Sequence, residues 1–344
     1  MTIPGVEPVF EVLDGGFLTT VQDAGRPDLG ALGVSPGGAC DPWSFAVANL
    51  RCGNDPDAPA LELTLAPPTL RALGPVRVAL AGAELGLRIR SGGADVPFPP
   101  GASGWLREGD ELGPDAAVPS EGARAYLAVE GGFVVPTVLG SASTALGAGF
   151  GGHEGRALRA GDVLRARTAG AANGVTLVPP IAGGADNAPS TLPGRHVAVL
   201  PGPHAAQLGR DAVDALTAHE WRIASTSDRM GLRVEGGPLP LPAATDVASH
   251  GVTWGTIQVP PDGRPLVLLA DHQPTGGYPV IGVVPIADRP RLGQLRPGEE
   301  ISFRIVTREE AVAALRWQRH ALDELERACK DAIRWDDRWR SAEG

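Results

Sequence analysis

Leu266-Val267-Leu268-Leu269-Ala270, Asp271-His272-Gln273-Pro274-Thr275-Gly276-Gly277-Tyr278 and Val280-Ile281-Gly282-Val283-Val284 follow one another closely, two apolar runs around a polar, glycine-bearing centre. Apolar runs this short, with turn residues at both ends, read as buried strands. The residues between them then form one loop. It offers Asp271, Gln273, Thr275 and Tyr278 beside Gly276-Gly277, whose backbone amides no side chain covers. Such a loop can cradle an anion or a planar amide. It also fits a tight hairpin whose glycines meet a backbone requirement and whose polar groups are solvated. Loop chemistry alone leaves both open.

Working outward, the rhythm of the loop's flanks continues along the chain. Glycine supplies 47 and proline 33 of the 344 residues, and the apolar runs between them are short, as in Val76-Arg77-Val78-Ala79-Leu80 and Tyr126-Leu127-Ala128-Val129. That spacing predicts many short strands. Leu106–Leu112, Leu158–Leu164 and Leu295–Ile301 share the form Leu-Arg-x-Gly-acid-x-aliphatic. Each predicts a turn feeding a barrel strand, and the uneven spacing excludes a solenoid.

Two helices interrupt the strands. Asp41-Pro42 supplies an N-cap acid and a proline suited to the first helical position, Gly53 ends the segment, and Trp43, Val47 and Leu50 share a face. Thr307 and Glu310 form a capping box before Ala311, Leu315, Leu322 and Leu325, which recur at helical spacing. This helix is expected to pack on the last barrel. The amphipathic Trp335–Arg340 continues it or docks on a partner, and Ser341–Gly344 is expected to be loose. Between Ala169 and Gly194 the chain turns Ala/Gly/Pro/Ser-rich around one short strand, Val175–Val178, which predicts a linker. The expected domains are therefore 1–185, 186–306 and a helix and tail over 307–344.

Composition narrows the function classes. A net charge of −10 argues against a nucleic-acid or anionic-membrane partner. No run of about 18 apolar residues and no signal-peptide order are present, so the expected location is the cytoplasm. Cys40, Cys52 and Cys329 have no Cys-x-x-Cys spacing and no two histidines stand at ligand spacing, so no metal site is expected. Lys330 is the sole lysine. Neither a Walker lysine nor a lysine Schiff base is available elsewhere.

Several polar groups remain as candidates, each with a structural alternative. Gln22, Asp23 and Arg26 surround Gly25 just after an apolar run and can bind an amide, although an Arg held by an Asp in a turn is commonly structural. Ser141, Ser143 and Thr144 precede Gly147, Gly149, Gly151 and Gly152; they suit phosphate, or simply a flexible connection, and lack the Gly-Lys-Ser/Thr of a Walker motif. Asp228-Arg229 stands at the mouth of a strand, where the guanidinium can hold a carboxylate at two points. His250 and His272 lie near the polar centre and read more readily as structural than as catalytic.

Taken together these motifs resemble the biotin-dependent carboxyltransferase, or allophanate hydrolase subunit 2-like, family. The resemblance rests on Thr19-Thr20-Val21-Gln22-Asp23 to Arg26, Ala48-Asn49-Leu50 with Gly53-Asn54, and Leu61-Glu62. It continues through Gly140-Ser141 with Ser143-Thr144, Gly151-Gly152 to Gly155-Arg156, Ser227-Asp228-Arg229-Met230-Gly231, Gly255-Thr256-Ile257-Gln258-Val259-Pro260, Gly276-Gly277-Tyr278 and Asp288. Members usually carry Arg and Thr where this chain has His272 and Pro274, which removes a positive charge from the central loop.

The resemblance implies a mainly β fold of tandem cyclophilin-like β-barrel units, with a short helix in the N-terminal half and a C-terminal helix. Stand-alone bacterial members include the C-type component of an ATP-dependent 5-oxoprolinase. A B-type, or allophanate hydrolase subunit 1-like, chain and a lactam-hydrolase-like A-type chain are then the implied partners, with ATP and Mg in the complex. In larger urea carboxylases the equivalent region moves a carboxyl group from carboxybiotin to urea. This chain has no Met-Lys-Met biotin site, so biotin would come from elsewhere. A third possibility is a non-catalytic protein that sequesters an inhibitor of a sensor kinase. For amide activation, Asp271 is the expected base and Arg26, Gln258 and the Gly276-Gly277 amides the expected oxyanion donors. Gln22, Asp23, Asp228, Arg229, Gln273, Thr275 and Tyr278 are the expected substrate contacts, and Ser141, Ser143 and Thr144 the phosphate contacts.

Overall fold

The structure is a computed structural model that describes residues 5–115, 121–167, 194–243 and 247–343, with side chains to residue 332. The linker strand expected at Val175–Val178 and the side chains of Trp335–Arg340 lie outside the described residues, as does the expected boundary at 185. The chain divides into two compact units. One comprises Met1–Gly25, Pro42–Asn187 and Arg319–Gly344, the other Arg26–Asp41 and Ala188–Gln318.

The first unit contains β1 (Val6–Asp14), β2 (Leu18–Gln22), α1 (Pro42–Cys52), β3 (Ala60–Thr64), β4 (Thr69–Ala72) and β5 (Val76–Glu84). It continues with β6 (Leu87–Ser91), β7 (Ala94–Pro97), β8 (Ser103–Leu106), β9 (Glu111–Pro114), β10 (Glu121–Val129) and β11 (Val163–Arg167). A six-stranded sheet in the order β11-β1-β4-β9-β6-β7 and a five-stranded sheet in the order β2-β3-β10-β5-β8 share one core. Phe10, Leu70 and Leu112 enter it from the first sheet, and Leu61, Leu63, Leu80 and Leu127 from the second. Each such fully buried aliphatic or aromatic side chain contributes about 1.5–3 kcal/mol. Helix α1 is not one-faced as expected: Trp43 through Cys52 are all buried. Its polar positions find internal partners instead, as where Asn49 donates to the Ala58 carbonyl at 2.8 Å.

The second unit contains β12 (His196–Pro201), α2 (Ala205–Leu208), α3 (Arg210–Ala218), β13 (Glu220–Ile223), β14 (Gly231–Glu235), β15 (His250–Gly251) and β16 (Thr256–Gln258). It continues with β17 (Leu266–Leu268), β18 (Thr275–Gly276), β19 (Val280–Val283), α4 (Arg289–Gln294), β20 (Glu300–Ile305) and the start of α5 (Arg308–Glu343). Seven strands close a barrel in the order β12-β19-β16-β17-β14-β13-β20. Alternate residues fill it: Val197 and Val199, Trp221 and Ile223, Leu232 and Val234, Ile301 and Phe303. The two strands read from the opening stretch, β17 and β19, are not a hairpin. Strand β16 lies between them and pairs with both. Their loop therefore spans a strand, and its Thr275–Gly276 pairs with His250–Gly251 as a separate two-stranded ribbon.

The repeated heptapeptide has one structure three times. Arg107, Arg159 and Arg296 donate their backbone N–H to the carboxylates of Asp110, Asp162 and Glu299, and the backbone N–H groups of those acids return to the arginine carbonyls. The intervening Gly109, Gly161 and Gly298 have φ of 86°, 91° and 87°, the left-handed value a type II turn requires. Each turn leads into a strand, β9, β11 or β20, and the glycine N–H bonds across to Ala72, Val12 or Ile223. The predicted capping box also forms, with Thr307 N–H to Glu310 at 2.7 Å and Glu310 N–H to the Thr307 hydroxyl at 3.2 Å. Ala311 and Gln318 of α5 are buried, and Gln318 donates to the Ala287 carbonyl at 2.7 Å. No helix among the described residues is long and apolar enough to cross a membrane.

Candidate functional site

The barrel unit holds most of the candidates. Arg229 precedes β14 and Asp271 follows β17; since Gly231 faces Leu268 in that antiparallel pair, both residues emerge at one end of it. Arg229 Nε donates to Asp271 Oδ2 at 2.9 Å and Nη2 to Oδ1 at 3.0 Å. The two-point grip expected for a substrate carboxylate is thus closed on Asp271, both of whose oxygens accept from it. Arg229 also reaches the Gly38 carbonyl at 2.7 Å and Cys40 Sγ at 3.3 Å, while Gly37 N–H bonds to Ala270. The pair therefore pins the segment around Gly37–Cys40. Asp271, expected as the base, and Arg229, expected as a substrate contact, are thus paired with each other. Asp228 is likewise committed, its Oδ1 accepting from Met230 and Gly231 N–H at 2.7 and 3.2 Å. Arg26 is in this unit too, 2% exposed, with its backbone N–H on the Pro36 carbonyl.

Gln258 ends β16 and is 1% exposed, yet its Nε2 has no hydrogen-bond partner among the described residues. Its carboxamide ends against Gly276, where any Cβ would collide with Nε2. Only a glycine permits that approach. Gly277 and Tyr278 beyond it are exposed, as is Thr275, and Gln273 is half-buried. The central loop thus reaches solvent directly beside a buried amide donor.

His272 is 3% exposed, and its Nδ1 bonds to the Gln273 carbonyl at 2.7 Å. Burial holds this imidazole below its ordinary pKa, with the Arg289 charge adding to the effect, so it does not restore the positive charge the loop lacks. Arg289 stacks its guanidinium 5.1 Å from the Trp254 ring centroid and donates to the Trp254 carbonyl at 2.9 Å. Burial pulls its pKa down to about 10, which leaves it charged at neutral pH. Sequence spacing did not reveal that His204 and His250 meet, with ring centroids 5.0 Å apart. Forty-odd intervening residues carry no periodic signal that would join them.

The remaining candidates form a separate cluster in the first unit. Asp23 accepts from the Ser141 and Ser143 hydroxyls at 2.6 and 2.5 Å, from Ala142 N–H at 2.6 Å and from Gly25 N–H at 2.8 Å. The Thr144 hydroxyl donates to the Val21 carbonyl at 2.9 Å, and Gln22 Nε2 to the Thr20 hydroxyl at 2.9 Å. Ser141, Ser143 and Thr144 are fully buried. The expected phosphate cradle is instead a latch in which hydroxyls grip an aspartate, and a phosphate there would face a carboxylate. A triphosphate does not fit this donor set. Nearby on the same sheet, Glu62 accepts from the Tyr126 hydroxyl at 2.7 Å, both buried. Among the described residues no group of three or more His, Cys, Asp or Glu is placed to hold a metal ion.

Comparison with known proteins places this arrangement in context. Residues 32–305 match the carboxyltransferase domain, subdomain A and B. The C-type component of 5-oxoprolinase from Escherichia coli is 36% identical over 92% of this chain and 97% of its own length. The Haemophilus influenzae protein of the same name is 34% identical over 93% of this chain and 98% of its own length. Among solved structures, the Kluyveromyces lactis urea carboxylase superposes with a TM-score of 0.79 at 28% identity, covering 93% of this chain but 29% of that larger one. The match spans both compact units, and the mainly β architecture with its closed barrel agrees with it. The chain belongs to the carboxyltransferase family defined by subdomains A and B.

Proposed function

We propose that this chain is the C-type component of an ATP-dependent 5-oxoprolinase that works in the cytoplasm. The observation that carries the reading is the end-to-end correspondence with proteins named as that component, whose whole length it covers almost completely. The partners in this reading are a B-type chain and a lactam-hydrolase-like A-type chain.

The chemical problem is amide resonance, which makes the lactam carbonyl a poor electrophile. Phosphorylation solves it: the lactam oxygen attacks the γ-phosphorus of ATP and ADP leaves. Water then adds at the lactam carbon and the ring C–N bond breaks, the nitrogen leaving as the amine, to give γ-glutamyl phosphate. A second water adds at the same carbon and displaces phosphate, which carries off the former lactam oxygen, to give glutamate. The contribution of this chain is to bind and orient the lactam. Gln258 Nε2, a buried donor beside the Gly276-Gly277 amides, supports the developing charge on the amide oxygen. The Arg229–Asp271 pair positions the loop that carries those glycines. We assign ATP and Mg to the complex and not to the Ser141–Thr144 loop, whose hydroxyls are held by Asp23 and Val21.

A second reading, carboxyl transfer from carboxybiotin to a urea-like amide, is favoured by the fit to urea carboxylase. The same donor would stabilise the imidate form of that substrate. The separating experiment is co-expression with the B- and A-type partners, assaying glutamate formation and ATP hydrolysis with each chain omitted in turn. Glutamate formed only by the full set supports the first reading. A stable complex without 5-oxoproline-dependent turnover, but active with added carboxybiotin, replaces it with the second.

A further inference from the structure

Five residues of the barrel unit form a closed ring. Gln258 is the register partner of Val280 across β16 and β19. Val280 exchanges two bonds with His204, its N–H reaching His204 Nδ1 at 3.1 Å and its carbonyl receiving His204 N–H at 3.1 Å. The His204 ring lies against His250, which is the register partner of Gly276, and Gly276 closes the ring on Gln258. Directly opposed residues in an antiparallel pair project to the same side. The missing Cβ of Gly276 points at Gln258, so the His250 side chain leaves the ribbon on the Gln258 side as well.

Two buried polar atoms in this ring have no hydrogen-bond partner among the described residues: Gln258 Nε2 and His250 Nε2. They differ in kind. Gln258 Nε2 is a donor. His250 Nδ1 lies 3.1 Å from the Ala248 carbonyl, which can only accept, so Nδ1 carries a proton, and the imidazole tautomer that this bond selects presents a lone pair at Nε2. One donor and one acceptor therefore flank a glycine next to the exposed Gly277 and Tyr278. A cis amide presents the complementary pair, since in a small lactam the C=O and N–H point to the same edge.

We infer that Gln258 and His250 together read the edge of a cis amide, Gln258 donating to its carbonyl oxygen and His250 accepting its N–H. This rests on the proposed function and deepens it, naming His250 as a substrate-binding residue that selects planar cyclic or urea-like amides bearing a free N–H. His204 is the positioning residue: its contact with the His250 ring, together with the Val280 bond, fixes the plane of that ring.

The test uses the reconstituted complex with L-5-oxoproline and its N-methyl derivative. His250→Phe keeps a ring against His204 and removes the acceptor; His250→Gln supplies a carboxamide oxygen as a replacement. The expected result is about a tenfold rise in KM for 5-oxoproline with His250→Phe, kcat within roughly twofold, and partial rescue by His250→Gln. Wild-type complex should reject the N-methyl lactam, and His250→Phe should narrow that gap. Turnover by wild type with KM and N-methyl discrimination unchanged in His250→Phe overturns the inference and leaves the proposed function standing. Should His250→Phe not assemble, wild-type complex that accepts the N-methyl lactam equally well overturns it too. A wild-type complex that never turns over 5-oxoproline overturns the proposed function, and this inference with it.

Discussion

Replacing Asp271 by Asn tests whether its carboxylate is a clamp or a free base. The substitution preserves shape but removes the charge opposite Arg229, whose side chain is 3% exposed against 13% for Asp271. Asn keeps one acceptor oxygen, so one of the two bonds at 2.9 and 3.0 Å can survive, while its NH2 faces the other guanidinium N–H, donor against donor. Breaking a buried pair by removing one partner costs about 3–5 kcal/mol, and the partial exposure of Asp271 places this case near the lower end. A loss of ~3 kcal/mol is expected, and it should show as a lower urea midpoint at unchanged slope, followed by tryptophan fluorescence. Arg229→Met should destabilise the chain similarly. The double variant should lose less than the sum of the two, by more than about 1 kcal/mol, because the same interaction is removed in each. Asp271→Asn with wild-type stability, or strict additivity in the cycle, would refute the clamp and return Asp271 to the role of an independent base.

Other consequences follow from the geometry. Gly276→Ala should displace the Gln258 carboxamide and depress turnover of the complex at least as far as Gln258→Ala does, with little change in the unfolding midpoint; retained activity would mean that the close approach is incidental. The Arg156 hydrogen bonds, the largest influence, hold Asp162 at about 2 against an ordinary 3.8. The resulting stabilisation, on the order of 2 kcal/mol, is complete above the ordinary value and disappears as pH falls through about 2. Asp162→Asn should therefore lower stability at pH 7 and flatten its fall between pH 4 and 2, which denaturation at stepped pH would reveal. Burial depresses the pKa values of His204 and His272 below 6.5, so both favour the neutral folded form. For a base shifted downward, stability is greatest above 6.5 and declines as pH falls below it. A His204→Gln/His272→Gln double variant should show a weaker decline between pH 7.5 and 5.5, and an identical slope would contradict the assignment.

What the sequence made legible was local. The Leu-Arg-x-Gly-acid-x-aliphatic turns could be read because every bond that defines them, apart from the glycine N–H to the neighbouring strand, lies within four residues, and left-handed φ singles out glycine. The Thr307–Glu310 box was legible for the same reason. The ends of β17 and β19 were marked by turn residues, but the insertion of β16 between them depends on register across the barrel, which composition does not encode. Within the site, the right residues stood out and their partners did not. Asp23 and the Ser141–Thr144 loop read as two binding groups because 118 positions separate Asp23 from Ser141; folded, each consumes the other's polar capacity. Asp271 reads from the sequence as a base and Arg229 as a two-point carboxylate contact, and their 42-residue separation conceals that they pair with one another. His250 passed as a structural residue because its significance lies in one nitrogen left without a partner.

The central claim, that this chain presents a lactam for O-phosphorylation, is tested most directly by following the lactam oxygen. The complete complex is given 5-oxoproline labelled with 18O at the ring carbonyl, with ATP, under single-turnover conditions. The account predicts that the label appears in inorganic phosphate, that both oxygens of the new carboxylate of glutamate come from water, and that both outcomes depend on this chain and weaken in Gln258→Ala. Label retained wholly in glutamate, or transfer that proceeds equally well with this chain omitted, would contradict it.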